Sequence, residues 1–186
     1  MQEKGNVLRI LKETKEAMKR GDAVGIKSLS NQTMNTASLT QDPDNVAVAV
    51  IVYSLGKILE RNRYQEFKGW DKFYEVVINA INHSINDLES RGGENVGKDL
   101  EIINKEIEKL SGTLKKYIQD VFWKARINKA SRIYEHGISM EKTAKLLGIT
   151  MYEIASYAGQ ARVDDVPLEN TMDVRKRIKL VMDFFT

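Results

Sequence analysis

From Val7 to Met18 the apolar residues Val7, Leu8, Leu11 and Met18 fall at helical spacing with charges between them, which predicts an amphipathic first helix. Gly21-Asp22 closes it, and the Asp22 side chain suits the cap of a second helix running towards Leu39. Asp42-Pro43 is a further start signal: an acceptor side chain at the cap and proline at the first helical position. The run that follows, Val46 to Leu59, alternates β-branched residues in a way that also fits a strand. Its length, its proline start and its polar ending favour a buried central helix. Lys68-Gly69 interrupts the chain, and Trp70 to Leu88 predicts a fourth helix with the stripe Phe73, Val76, Val77, Ala80, Ile81 and Leu88. After the link Arg91-Gly92-Gly93, one long helical pattern runs from near Asn95 to His136, bent at Ser111-Gly112. Within it Leu100, Ile103, Ile107 and Leu110 have the near-heptad spacing of a packed bundle.

Residues 139–160 carry the most specific local pattern. Ser139 suits the cap of a short helix, although Lys142 stands where a capping box takes Glu. Leu146-Leu147 precede Gly148, which can take the left-handed conformation that ends a helix. Thr150 caps a second helix, and Glu153 completes the capping box Thr-x-x-Glu. Two short helices joined by a three-residue turn with Gly describe a helix-turn-helix. Ala144 allows a close crossing, Ile149 sits under the turn and Ile154 packs back from the second helix. An ordinary helical corner shares part of this pattern. The chain therefore predicts an all-α protein. A bundle over 1–110 serves dimerisation or partner binding. Residues 111–186 supply a long basic connecting helix, the helix-turn-helix, and a C-terminal helix from Asp173 to Phe185.

In such a motif the second helix enters the major groove by its N-terminal residues. Thr150, Met151, Tyr152 and Ser156 are therefore the candidates for DNA contact, with Gln160 and Arg162 following them. No Lys or Arg lies within this helix, so the commonest bidentate contact to guanine has no donor in it.

The charge distribution changes the picture modestly. The formal net charge of +3 averages two unlike parts: 16 basic against 17 acidic residues over 1–110, and 13 against 9 over 111–186. Most of the excess lies between Ser111 and Ile133, where Lys115, Lys116, Lys124, Arg126, Lys129 and Arg132 face only Asp120. Lys124 and Lys129 are the candidate phosphate contacts, supplying the sequence-independent part of binding. A solvated helix face has the same composition. A homodimer is expected if binding is specific, because one short helix buries too little surface.

The stretch from Ala130 to Ile154 resembles small prokaryotic antitoxin-like proteins of the VapB/UPF0175 type. Ala130, Tyr134, Gly137, Ile138, Ser139, Ala144, Leu147, Gly148, Tyr152 and Glu153 match in type. The resemblance covers about 30 of 186 residues, and the long N-terminal bundle departs from it. It implies a DNA-binding transcriptional regulator paired with a PIN-domain ribonuclease.

The remaining chemistry is mostly excluded. The chain has no cysteine, which removes disulfides, zinc ribbons, iron–sulfur clusters and thiol catalysis, and its two histidines cannot build a histidine-rich metal site. Arg132-x3-His136 poorly resembles, at shorter spacing, the pair of helical ribonucleases of the HEPN kind; a histidine capping the end of a helix is the favoured reading. His83, beside Ile81 and Ile85, reads as a core or surface-edge residue. Asp42-x-Asp44 and Asp164-Asp165 fit caps and turns, and Gly92-Gly93 lacks the Lys-Ser/Thr sequel of a phosphate loop. No enzyme constellation, cofactor or metal is expected. No apolar run reaches the roughly 20 residues of a membrane span, and Met1–Arg20 is too charged for a signal peptide, so a cytoplasmic protein is expected. The alternative to a DNA-binding regulator is a non-enzymatic helical adaptor that binds protein through a degenerate helix-turn-helix.

Overall fold

Several helix starts follow the capping chemistry of the chain. The computed structural model describes residues 2–164, with side chains described as far as Tyr157; the expected Asp173–Phe185 helix lies outside these residues. Helix α1 (Lys4–Arg20) buries Val7, Ile10, Leu11, Ala17 and Met18. The Asp22 carboxylate accepts from the Gly25 amide at 2.8 Å, and α2 (Ala23–Thr40) begins there. Asp42 accepts from the Asp44 amide at 2.9 Å and Pro43 opens α3 (Pro43–Leu59). The β-branched run is thus helix, not strand. Helix α3 packs against α1, α2 and three later helices, so apolar residues on all its sides are buried and the run need not alternate.

A 3-10 turn (Asn62–Glu66) leads to α4 (Trp70–Ser90). Phe73, Val77, Ala80, Ile81, Ile85 and Leu88 form its buried stripe, while Val76 sits half-buried at the edge. The long pattern after Asn95 is two helices, α5 (Val96–Lys109) and α6 (Gly112–Glu135). Leu110 and Ser111 are extended and Gly112 has φ of 61°, a left-handed value natural to glycine, so the expected bend is a full break. Helices α7 (Met140–Leu147) and α8 (Met151–Asp164) follow. Among the described residues the protein is all-helical, with eight α-helices, no strand and no helix long and apolar enough to cross a membrane.

The buried residues form two clusters. The larger draws Val7, Ile10 and Leu11 from α1, Phe73, Val77 and Ile81 from α4, Leu100 and Ile103 from α5, and Ile118 and Phe122 from α6. The smaller joins Met34 and Ala37 of α2, Val46, Ala49 and Val50 of α3, and Ala125, Ala130 and Ile133 of α6 to Ile138, Ala144, Leu147 and Ile154. Helices α3 and α6 contribute to both, so residue 110 marks a turn between helices that share a core. One compact unit spans Met1–Ile154 and a second begins at Ala155.

Candidate nucleic-acid interface

The segment from Ser139 to Ile154 is built from four local devices. The Ser139 hydroxyl accepts from the Lys142 amide at 3.3 Å and caps α7. Gly148 ends that helix at φ 63°, and the Ile149 amide donates to the Ala144 carbonyl at 3.1 Å. Thr150 and Glu153 then exchange bonds. The Thr150 amide and hydroxyl each donate to Glu153 Oε2 at 2.7 Å, and the Glu153 amide donates to Thr150 Oγ1 at 3.1 Å. Finally Ile138, Ala144, Leu147 and Ile154 enter the smaller core, with Ile149 half-buried against it. Burying an isoleucine such as Ile154 contributes roughly 1.5–3 kcal/mol, enough to hold the first turn of α8 in place.

A contact from α6 reaches this turn. Trp123 Nε1 donates to Glu153 Oε1 at 3.0 Å, while its ring remains 43% exposed. The Thr150 amide, the Trp123 indole and the Thr150 hydroxyl, with attraction from Arg126, hold the Glu153 carboxyl down to about 2. Both carboxylate oxygens are therefore engaged, and the group stays ionised across the physiological range. Trp123 carries no signal of this role in the sequence beyond being an aromatic residue on a charged helix, thirty positions from its partner.

The predicted contact residues fall in different places. Met151 and Tyr152 are 51% and 81% exposed on the first turn of α8, and Ser156 is exposed further along it. Thr150 is exposed, but its amide and hydroxyl are committed to Glu153. Gln160 and Arg162 lie on α8, with side chains beyond those described. Lys124 is exposed and paired with Asp120 at 2.8 Å.

Lys129 requires correction as a phosphate contact. Its side chain is 0% exposed, and its Nζ donates to Asn31 Oδ1 at 3.3 Å. The reason is helical spacing: Ala125 and Ile133, four residues to either side, are core, so position 129 shares the face turned towards α2 and α3. The basic stretch is weakened elsewhere too, since Lys115 pairs with Glu108 at 3.4 Å. Lys116 and Arg132 are exposed and Arg126 is half-buried, leaving a smaller cationic surface than the composition suggests.

The other candidates show no convergence. His83 is exposed on α4. Arg132 and His136 are both exposed, and the contact between them is backbone: the His136 amide donates to the Arg132 carbonyl at 3.3 Å. Among the described residues no group of three His, Asp or Glu side chains is placed to hold a metal ion. Comparison with protein-family models, with curated proteins and with solved structures finds no match to this chain.

Proposed function

We propose that the protein is a DNA-binding transcriptional regulator of the antitoxin-like kind, which reads duplex DNA through a helix-turn-helix made of α7, the turn at Gly148 and α8. The observation that carries this reading is the turn itself. A left-handed Gly148, a reciprocal Thr150–Glu153 box and a buried Ile154 hold α8 by its first turn and leave Met151 and Tyr152 exposed. This is the end of the helix that meets base edges in such motifs. In this reading Met151 and Tyr152 meet the groove. Lys116, Lys124, Arg126 and Arg132 supply phosphate attraction. The protein acts as a homodimer, and its partner is a PIN-domain nuclease.

A gel shift with the DNA upstream of its own coding sequence, run at two salt concentrations, tests the proposal. Binding that weakens steeply with salt supports it, because each neutralised phosphate contributes about 0.9 to the logarithmic slope. Absence of binding at the lower salt overturns it.

A second reading, a protein-binding adaptor, is favoured by one feature. Between Met151 and Tyr157 there is no Lys or Arg, while Met151 and Tyr152 offer apolar surface. A pull-down that recovers a protein partner while duplex DNA is neither bound nor able to compete it away supports this reading; binding of that DNA speaks for the first.

A further inference from the structure

The contact between Trp123 and Glu153 points to a role that the local capping of α8 does not need. A Thr-x-x-Glu box is complete once the carboxylate meets the Thr150 amide and the hydroxyl meets the Glu153 amide. Here the same carboxylate uses its second oxygen to accept the indole N–H of Trp123 at 3.0 Å, from a helix thirty residues earlier in the chain. The acceptor is an ionised carboxylate, so the bond belongs to the stronger, charge-assisted class. Trp123 lies between Lys116 and Arg126 on α6, and Arg126 adds attraction to the same carboxylate.

We infer that Trp123 is the positioning residue of the DNA-reading turn: its indole fixes the first turn of α8 against the basic helix α6. This rests on the DNA-binding reading above. The consequence is a division of labour. Glu153 spends both oxygens within the protein and reads no base. Exposed cations of α6 set non-specific affinity. The indole sets the register in which Met151 and Tyr152 meet base edges, so its loss degrades discrimination between sequences and leaves attraction to phosphate in place.

The experiment compares two duplex probes, one from the DNA upstream of the protein's own coding sequence and one of scrambled sequence and equal composition. Trp123→Phe keeps an aromatic ring and removes the N–H. Glu153→Gln keeps one carbonyl oxygen for the Thr150 amide but cannot accept from Thr150 and Trp123 together. Each variant is expected to lose about tenfold of the preference for the upstream probe, the scale of one charge-assisted hydrogen bond, with affinity for the scrambled probe unchanged in Trp123→Phe and not lowered in Glu153→Gln, which removes a negative charge beside Arg126. The double variant is expected to be no worse than the poorer single one, because both remove one bond. A purely structural role predicts equal losses on both probes, or losses that add, and either result overturns the assignment. Unchanged preference in a wild type that does discriminate also overturns it, and overturns it alone. A wild type that shifts neither probe overturns the DNA-binding reading and the positioning role with it.

Discussion

The Nζ atom of Lys129 lies 4.3 Å from the centroid of the Tyr53 ring, inside a protein interior where no surface of the lysine is exposed. A lysine in such a place normally has a carboxylate beside it. Here the contacts are the ring face and the Asn31 amide oxygen, and Arg132 bears on it from its own helix with like charge. Burial first, and the like charge of Arg132 second, push the amine down to about 7. The ring quadrupole offsets part of this by attracting the charged form. Lys129 is therefore a buried cation whose charged form is disfavoured, beside the core that supports α7 and the start of α8.

Protein stability should rise with pH above neutrality for this reason. The folded-state value of about 7 lies below the ordinary lysine value, so between them the unfolded chain binds more protons. The penalty for burying the charge is complete below about pH 7 and fades as pH rises towards the unfolded value. Denaturant melts at pH 7 and pH 10 should show wild type gaining on the order of 3 kcal/mol relative to Lys129→Met. At pH 7 the variant should be the more stable of the two, since an apolar side chain of similar length removes the buried charge. A constant difference between the two proteins across this range would show that the amine is not desolvated.

Glu153 should titrate far below an ordinary glutamate. Its carboxyl, held down to about 2 by Thr150 and Trp123, contributes stability that is present above the ordinary glutamate range and is lost as pH falls through about 2. A carboxyl-detected NMR titration should place its midpoint near that value. Trp123→Phe should move the midpoint upward, and Thr150→Ala should move it upward by less, because it removes the hydroxyl donor and keeps the amide at position 150. An ordinary midpoint in wild type would mean that the capping box is open in solution.

Much of this fold was legible because it rests on chemistry local to the chain. Asp22, Asp42, Ser139, Gly148 and Thr150 each act within four residues, and each starts or stops a helix where the sequence indicates. The strand-like run of α3 was ambiguous because a helix buried on all sides loses its periodic signature. The site was less legible for a different reason. The burial of Lys129 and the Trp123–Glu153 bond depend on which face of α6 meets which helix, and composition counts Lys129 as one more surface cation. The spacing of Lys129 from Ala125 and Ile133 held the clue, but only once those two positions are known to be core.

Gly148 should resist substitution through its backbone alone. Its φ of 63° is disfavoured for residues with a Cβ, yet nothing lies within 4 Å of where that atom would be. Gly148→Ala should therefore destabilise by about 1–2 kcal/mol, the cost of a left-handed residue, without a steric term. Gly148→Asn should cost less, since Asn tolerates this conformation better. Thermal melts of both variants check the order. An alanine variant as stable as wild type would indicate that the turn after α7 adopts another backbone path.

The burial of Lys129 sets up a contrast along α6 that binding measurements can resolve. Lys116 is exposed on α6, whereas Lys129 is buried on the same helix. If α6 supplies phosphate attraction, Lys116→Ala should lower the slope of log affinity against log salt by about 0.9, the loss of one phosphate contact. Lys129→Met should leave that slope unaltered, because its amine reaches no surface, and any change in affinity should follow stability instead. Salt titrations of the two variants on one duplex separate these expectations. A reduced slope for Lys129→Met together with an unchanged slope for Lys116→Ala would reverse the assignment and require α6 to turn its other face to DNA.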